Sequence, residues 1–381
     1  MDFSLNKEQK DIKKAAREFA LGEFDPDIAL ELDKERRFPL EIWKKACKLG
    51  FIAMHFPEEY GGQELGLLES VLVTEEFCRQ HSGIGMALGL SCIGSEMILH
   101  FGSEEQKTRY LTPLAKGEGV SSFAHLEWNP EGNLDDIQTV ARKNGAGYLI
   151  SGAKSFVING TLPGPLVVLC RLKDAEHADD LAAFALEKDE ASIPPSLMSK
   201  TTGMRMVPIA NLTFNDLAVS GESIIGDEGQ GRLQFMKVLD VMRIEAAAMG
   251  TGIAQGAFEL ALGYSKQREQ FGRKIGSFEA IRDRLADMAT QIEIARLLTY
   301  KAAWGFDNNE AVPGVSNMAK MVSAEAALEV AKSALHCFGG YGYIVENHIE
   351  HFYRDASMVE FIGMPGNKEK GLIGDKVIGK L

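Results

Sequence analysis

Two carboxylates and two glycine-bearing segments carry most of the chemistry this chain could do. Glu245 sits inside the apolar run Ile244-Glu245-Ala246-Ala247-Ala248. A carboxylate is costly to bury unless it is paired or has a task. It therefore reads either as a structural ion pair with Arg243 or a distant Arg, or as a general base. Glu360 precedes Gly363 by three residues in Glu360-Phe361-Ile362-Gly363-Met364-Pro365-Gly366-Asn367. It is a second candidate base, with capping or pairing as the structural alternative. Arg268, in Arg268-Glu269-Gln270-Phe271-Gly272, could make a forked, charge-assisted contact to phosphate. Gly339-Gly340 could let the backbone approach a ligand without an obstructing Cβ. The plain alternatives are a solvated charge near a helix end and a helix stop. Cys92, beside Ser91, reads as a small buried hydrophobe rather than a nucleophile. His348 and His351 lie three apart with no third ligand near them in sequence, so no metal site is expected.

The elements that must position these groups fall into three regions. Residues 1–118 read as helices. Asn6 opens a run with Ile12, Ala15, Ala16 and Phe19 at helical spacing, and Phe38-Pro39 opens another that Gly50 stops. Leu68 to Cys78 and Ile84 to Phe101 read as longer apolar helices, and Ser103 as a helix start. Residues 119–226 change period. Short runs at 148–152, 155–158, 166–170, 182–186 and 212–214, separated by Gly, Pro, Asn and Asp, predict a β-barrel-like domain. Residues 227–381 return to helices, at Leu233 to about Arg268, Phe278 to Trp304 and Val315 to Phe338, which predict a bundle. The first of these would be roughly 50 Å long at 1.5 Å per residue. The fold class is α+β multidomain.

Composition narrows the partners. The chain has 381 residues, 45% hydrophobic and 25% charged, enough for two or three packed domains. A net charge of −13 argues against nucleic acid or an anionic membrane surface. Five cysteines without CxxC spacing fit a reducing compartment. The start lacks a cationic stretch followed by an apolar one, and no run of ~20 apolar residues suggests a membrane span. A cytoplasmic location is expected.

Several stretches resemble the acyl-CoA dehydrogenase family, in order and over almost the whole chain. They are Pro57-Glu58-Glu59-Tyr60-Gly61-Gly62, Ser151 to Gly160, Arg268 to Gly272, Phe338-Gly339-Gly340-Tyr341-Gly342-Tyr343 and Arg354-Asp355-Ala356. The resemblance implies an N-terminal helical domain, a β-domain and a C-terminal four-helix bundle. It also implies FAD, an acyl-CoA substrate and an electron-transferring flavoprotein as electron acceptor. FAD would touch Phe123, Leu126, Phe156, Ile158, Arg268, Gln270, Phe271, His336, Gly339, Gly340, Pro365 and Asn367. Some of these would serve a neighbouring subunit, which implies a homo-oligomer, commonly a tetramer. Ser91, Met242, Arg243 and Gly363 would meet the substrate.

The departures fall on chemistry positions. Where the family places its base Glu, this chain has Gly363, and at the alternative position on the long helix it has Met242. The Thr expected to face the flavin is replaced within Phe156-Val157-Ile158. The family's CoA-contacting loop becomes Leu126-Glu127-Trp128-Asn129-Pro130-Glu131-Gly132-Asn133, in which Glu127 and Glu131 read as solvated. His336 stands for a Gln and Pro365 for a Thr. Two functions remain open. One is an FAD-dependent acyl-CoA dehydrogenase or reductase with a relocated base, acting on a cyclic or branched acyl group. The other is a non-catalytic subunit of a hetero-oligomer whose paralogous chain supplies the Glu. On the first, restoring a carboxylate at 363 should give ordinary α,β-dehydrogenation.

Overall fold

The computed structural model describes residues 4–128, 134–173, 180–188, 192–198, 200–310, 312 and 314–379. Its first region is helical: α1 (Lys7–Glu23), α2 (Pro26–Glu35), α3 (Leu40–Lys48), α4 (Leu67–Gln80), α5 (Ser82–Gly89), α6 (Ser95–Phe101) and α7 (Glu104–Ala115). Asn6 with Gln9, and Ser103 with Gln106, form capping boxes that satisfy the first free N–H groups of α1 and α7. Helix α2, capped by Asp25 with Pro26 in its first turn, lies in a stretch left unassigned by periodicity. The run from Ile84 to Phe101 is two helices rather than one. Gly94 breaks it at φ +86, where a Cβ would come within 2.8 Å of Phe123 Cβ.

The middle region holds β1 (Ser122–Ala124), β2 (Val140–Asn144), β3 (Gly147–Ile158), β4 (Pro165–Leu172), β5 (Leu181–Glu187), β6 (Pro195–Leu197) and β7 (Ile209–Ser220). They pair in one mixed sheet in the order β1-β4-β2-β3-β7-β6, with β5 on β4. The runs at 148–152 and 155–158 belong to one strand, β3. Its register against β7 shifts twice, between Ile150 and Gly152 and between Lys154 and Val157. Such bulges re-aim side chains, and Phe156 leaves the second one at φ +56.

The last region is α8 (Gly231–Gln267), α9 (Glu279–Asp307), α10 (Val315–Phe338), α11 (Glu350–Val359) and α12 (Gly366–Ile378). A two-stranded ribbon, Glu269–Gln270 with Arg273–Lys274, joins α8 to α9. Helix α8 is the spine of the molecule, packing against α4, α9 and α10. Small residues set its distance: a Cβ at Gly252 would lie 2.4 Å from the Glu75 carbonyl of α4. One at Gly250 would lie 2.8 Å from that of Ser323 in α10. Glu75, fully buried, ties the first region to the bundle through Arg296 (3.1 Å) and Tyr300 (2.7 Å), and holds α1 through Lys13 (3.0 Å). Among the described residues no helix is long and apolar enough to cross a membrane.

Candidate functional site

Two places gather several of the predicted site residues, and the rest lie outside both. One is a pocket between α4, α8, the 51–55 loop, residues 88–94 and Ile362, small on the inside and open on one side to solvent. The other is a surface groove where the end of α8, the following ribbon and the end of α10 meet. No residue lines both.

Ser91, Met242 and Glu245 come together in the pocket, with Cys92 in the same wall. Spacing explains this. Met242, Glu245 and Met249 fall on one face of α8, at three- and four-residue steps. Glu245 does not pair with Arg243. Its Oε2 accepts a hydrogen bond from Thr74 Oγ1 at 3.0 Å, and Ser70 supplies a second hydroxyl. Burial pushes its carboxyl up to about 7; His55 and the hydroxyls pull it down and Glu96 adds to the rise. A carboxyl poised there can hold or release a proton near neutral pH.

His55 and Glu96, which sequence reasoning missed, stand beside it. His55 Nε2 donates to Glu96 Oε1, and His100 lies 3.3 Å from Oε2. Burial would pull His55 down, but the Glu96 carboxylate, then Glu245 and Asp307, holds it above the usual imidazole value. Burial would raise Glu96, yet the two rings keep it well below the usual carboxylate range. The available signal was weak: a lone His in a loop and a Glu four residues before His100. Ser91 spends its hydroxyl on the Leu88 carbonyl at 2.7 Å. Burial raises the Cys92 thiol far above neutrality, as suits a small hydrophobe.

Arg243 is not poised for substrate. It is buried, with Nε 2.9 Å from Glu369 Oε2 and Nη1 3.0 Å from Asp240 Oδ1. Glu369, itself fully buried, also accepts from Asn317 Nδ2 at 2.6 Å and pairs with Lys320 at 3.4 Å. Lys320 donates to the Met364 carbonyl as well. This network clamps the segment from Gly363 into α12 onto α8 and α10. Its sequence signal was the presence of Arg243 and Lys320 on apolar faces, each needing an acid.

Gly363 has φ +79, and its carbonyl accepts from His125 Nε2 at 3.2 Å. A Cβ there would meet Leu239 Cδ1 at 3.1 Å. Glu360 is exposed, lies against Gly366 at the start of α12 and does not line the pocket. That placement removes it as a base for groups bound inside. Pro365 stands at the N-cap position of α12 without a side-chain capping bond, and Asn367 is exposed in its first turn.

On the sheet side, Phe123 and Ile158 are buried and Leu126 half-buried. Phe156 stacks on Trp128, with ring centroids 5.5 Å apart and planes 9° from parallel. Glu127 is not solvated. It pairs with the buried Lys154 at 2.9 Å and accepts from the Gln138 and Thr139 amides. Glu131, with Asn129 to Asn133, lies outside the described residues.

The groove brings Arg268, Gln270, Phe271, His336, Gly339 and Gly340 together. Tyr264 stacks on Phe338 at its base, and the Arg268 guanidinium lies 5.4 Å from the Tyr341 ring centre. His336 Nδ1 accepts from Arg284 Nη1 at 3.0 Å. Phe271 is 92% exposed. A Cβ on Gly339 or Gly340 would meet no atom of this chain within 4 Å. Open backbone, a cation and exposed aromatic faces together fit a dinucleotide such as FAD. Among the described residues no three His, Cys, Asp or Glu side chains are grouped to hold a metal ion.

Comparison with known proteins covers the whole chain. Residues 6–118, 129–217 and 229–373 match the N-terminal, middle and C-terminal domains of acyl-CoA dehydrogenase. The chain is 35% identical over 378 residues to a short-chain-specific acyl-CoA dehydrogenase of Clostridium acetobutylicum, covering 99% of this chain and 100% of that one. Butyryl-CoA dehydrogenase from Megasphaera elsdenii superposes with a TM-score of 0.94 at 31% identity, over 100% of both chains. A structure described as an electron transferring flavoprotein of Acidaminococcus fermentans contains a chain 34% identical, with a TM-score of 0.95 over 100% of both.

Proposed function

The chain belongs to the acyl-CoA dehydrogenase family, and from that premise we propose that Glu245 is its acid–base group. The protein is an FAD-dependent oxidoreductase acting on the acyl chain of a CoA thioester. The carrying observation is a carboxyl of raised proton affinity in the pocket wall, one helical turn beyond Met242, with the side-chain-free Gly363 following Ile362 of that wall and its Cβ position 3.8 Å from Met242 Cβ.

Arg268, Phe271, Gly339 and Gly340 would hold one part of the cofactor, and Phe156 and Ile158 another. When bound, FAD supplies a hydride acceptor for the acyl chain. The rest belongs to the chain's own residues. Glu245 takes the proton from an acyl carbon, or returns it when the reaction runs as a reduction. Thr74 and Ser70 fix the carboxyl's orientation. The walls of Phe51, Phe77 and Met249 exclude water, which strengthens the electrostatics around the proton transfer. Because Glu245 lies one turn deeper than Met242, it addresses a carbon further along the chain than an acid at 242 would.

The exposed groove supports a homo-oligomer, a tetramer on the family pattern, in which a neighbour completes the flavin site. The likeness to the Acidaminococcus fermentans structure supports an electron-transferring flavoprotein as electron partner. The five free cysteines fit the cytoplasm.

Glu245→Gln tests the assignment. Turnover of the FAD-loaded protein with its acyl-CoA should fall by about 10² to 10⁴ fold, with flavin content unchanged. In the wild type the oxidation rate should rise with pH through about 7, as the base ionises. Full turnover in Glu245→Gln would discard the assignment. Turnover that appears only on adding a homologous chain would favour the hetero-oligomeric subunit.

A further inference from the structure

An ionised Glu245 is a buried carboxylate, and such a group is costly without a compensating charge. Thr74 and Ser70 give it hydroxyls but no charge. Arg243, two residues before it on α8, is spent on Glu369 and Asp240. Among the described residues that line the pocket, His55 is the only basic side chain. Its Nε2 donates to Oε1 of the buried Glu96, a placement that favours the protonated ring. Glu96 has a second imidazole on its other side. Nε2 of the partly exposed His100 lies 3.3 Å from Oε2. The cluster thus sets two acids, Glu96 and Glu245, against two imidazoles. With His100 on Glu96, the charge of His55 is not wholly consumed by its own hydrogen-bond partner.

The other titratable groups near α8 are engaged elsewhere or neutral. Asp307, at the end of α9, acts on His55, but its oxygens accept from the Leu67 and Leu68 amides at 2.7 and 2.9 Å. Glu75 of α4 is turned to Lys13, Arg296 and Tyr300, and Lys320 of α10 to Glu369. Asp355 of α11 is turned to Ser82 and the Met204 amide. Burial keeps the thiols of Cys78 and Cys92 protonated. Burial also opposes the charged forms of His55 and Glu245. Against it, Glu96 and then Glu245 favour the charged ring, and His55 favours the ionised Glu245. We propose that His55, held by Glu96, is the counter-ion of the Glu245 carboxylate and so sets the pH at which that carboxylate takes up a proton. His55 is on this account a positioning residue, acting through Glu245 and not on the substrate.

This rests on the reading of Glu245 as the acid–base group, and the test separates the two. Infrared spectra of the FAD-loaded protein are recorded against pH, without substrate. The carboxyl C=O band present in wild type and missing from Glu245→Gln reports Glu245 directly. In wild type it should fade with a midpoint of about 7. His55→Gln keeps a hydrogen-bonding side chain and removes the charge. It should raise the midpoint by about one pH unit or more, lowering the ratio of ionised to protonated carboxyl at pH 7 about tenfold. His55→Gln with Glu96→Gln also removes the stranded acid, and its midpoint should fall between wild type and the single variant. A rearranged pocket wall alone would not produce that order. A midpoint unchanged or lowered in His55→Gln, or in the double variant should the single one not fold, would overturn the proposal. So would a wild type in which no band lost in Glu245→Gln titrates near neutral pH. Full turnover in Glu245→Gln, with the ordered midpoints still observed, would remove the base assignment and leave the charge pairing standing.

Discussion

The interior pocket and the surface groove differ in how complete a single chain makes them. On the pocket's side of the molecule, polar side chains close on one another: His55 and His100 converge on Glu96 at the pocket wall, and Arg243, Lys320 and Asn317 on Glu369 behind it. In the groove, Phe271 is more than nine-tenths exposed, and two glycines face open space. The same sequence thus finishes one half-site internally and leaves the other with unspent surface. Large exposed aromatic surface commonly marks a binding or assembly site. On the proposed function, substrate selection would rest with the individual chain and cofactor retention with an assembly. Perturbing the two places should therefore fail in different ways: the pocket in stability and chemistry, the groove in cofactor affinity.

The largest effect on stability should come from Glu369→Ala. It strands Arg243 and Lys320 in the interior, and breaking a buried ion pair from one side costs about 3–5 kcal/mol. Burial already depresses Lys320 to about 8, against the pull of Glu369, so losing the acid should push it lower still. Thermal unfolding with and without added FAD measures this. A melting temperature unchanged from wild type would mean that the clamp on the Gly363 segment is dispensable.

Glu245→Gln should act on stability in the opposite sense, and only in one pH range. The folded-state value is raised above the unfolded one, from 4.5 to about 7. Such a group contributes its stability below the unfolded value and loses it as pH rises through the folded value. Wild type therefore carries a burial penalty above pH 7 that Gln does not, amounting to about 3 kcal/mol at most. Denaturant unfolding should show the variant more stable at pH 8 and equal at pH 5. A gain that is the same at both pH values would show that the carboxyl does not titrate in this range.

Arg268→Ala should leave unfolding nearly untouched, because Arg268 is half-exposed and its guanidinium lies over the half-exposed Tyr341 ring. Its loss should instead weaken FAD binding about 10- to 100-fold, the value of one charge-assisted hydrogen bond of about 1.5–3 kcal/mol. FAD titration of the apoprotein reads it. Undiminished affinity and an unchanged oligomer would move the phosphate site away from the groove.

The order of regions and the three long helices were legible because a switch from 3.6 to 2 in apolar period survives any local accident. Helix α10 begins and ends where the apolar pattern does, at Val315 and Phe338. The failures have local causes. Asp25-Pro26 is a strong helix start, but α2 buries only Ala29, Leu32 and Asp33, too few for a clear apolar stripe. The split between α5 and α6 depends on a contact between Gly94 and Phe123, which lies across the fold and leaves no trace in the local pattern. The site was legible where chemistry is carried by one residue in an unusual context, as with Glu245 in its apolar run. It was illegible where partners are far apart in sequence. Glu369 is 126 residues from Arg243, and His55 is 41 from Glu96. No spacing argument reaches across such intervals.

The smallest effect, and the sharpest test of how far the pocket departs from its family, is at Gly363. Its backbone occupies the left-handed region, where an L-residue costs about 1–2 kcal/mol. Gly363→Ala should lower stability by about that amount, since the added Cβ also comes within 3.1 Å of the flexible tip of Leu239. Gly363→Glu meets the same strain and directs its side chain toward Leu239 and Met242, an apolar surface that offers a carboxylate no partner. Restoring a carboxylate at 363 should therefore cost at least as much as Ala and should not rescue the turnover lost in Glu245→Gln. Acyl-CoA oxidation by the Gly363→Glu, Glu245→Gln double variant decides this against an artificial electron acceptor. Recovered activity would mean that the segment can shed its left-handed turn and present an acid where the family does. Continued silence, with FAD bound and the fold intact, would mean that the turn at 363 and the acid at 245 are a matched pair: the first vacates space beside Met242, and the second supplies the proton transfer one turn deeper.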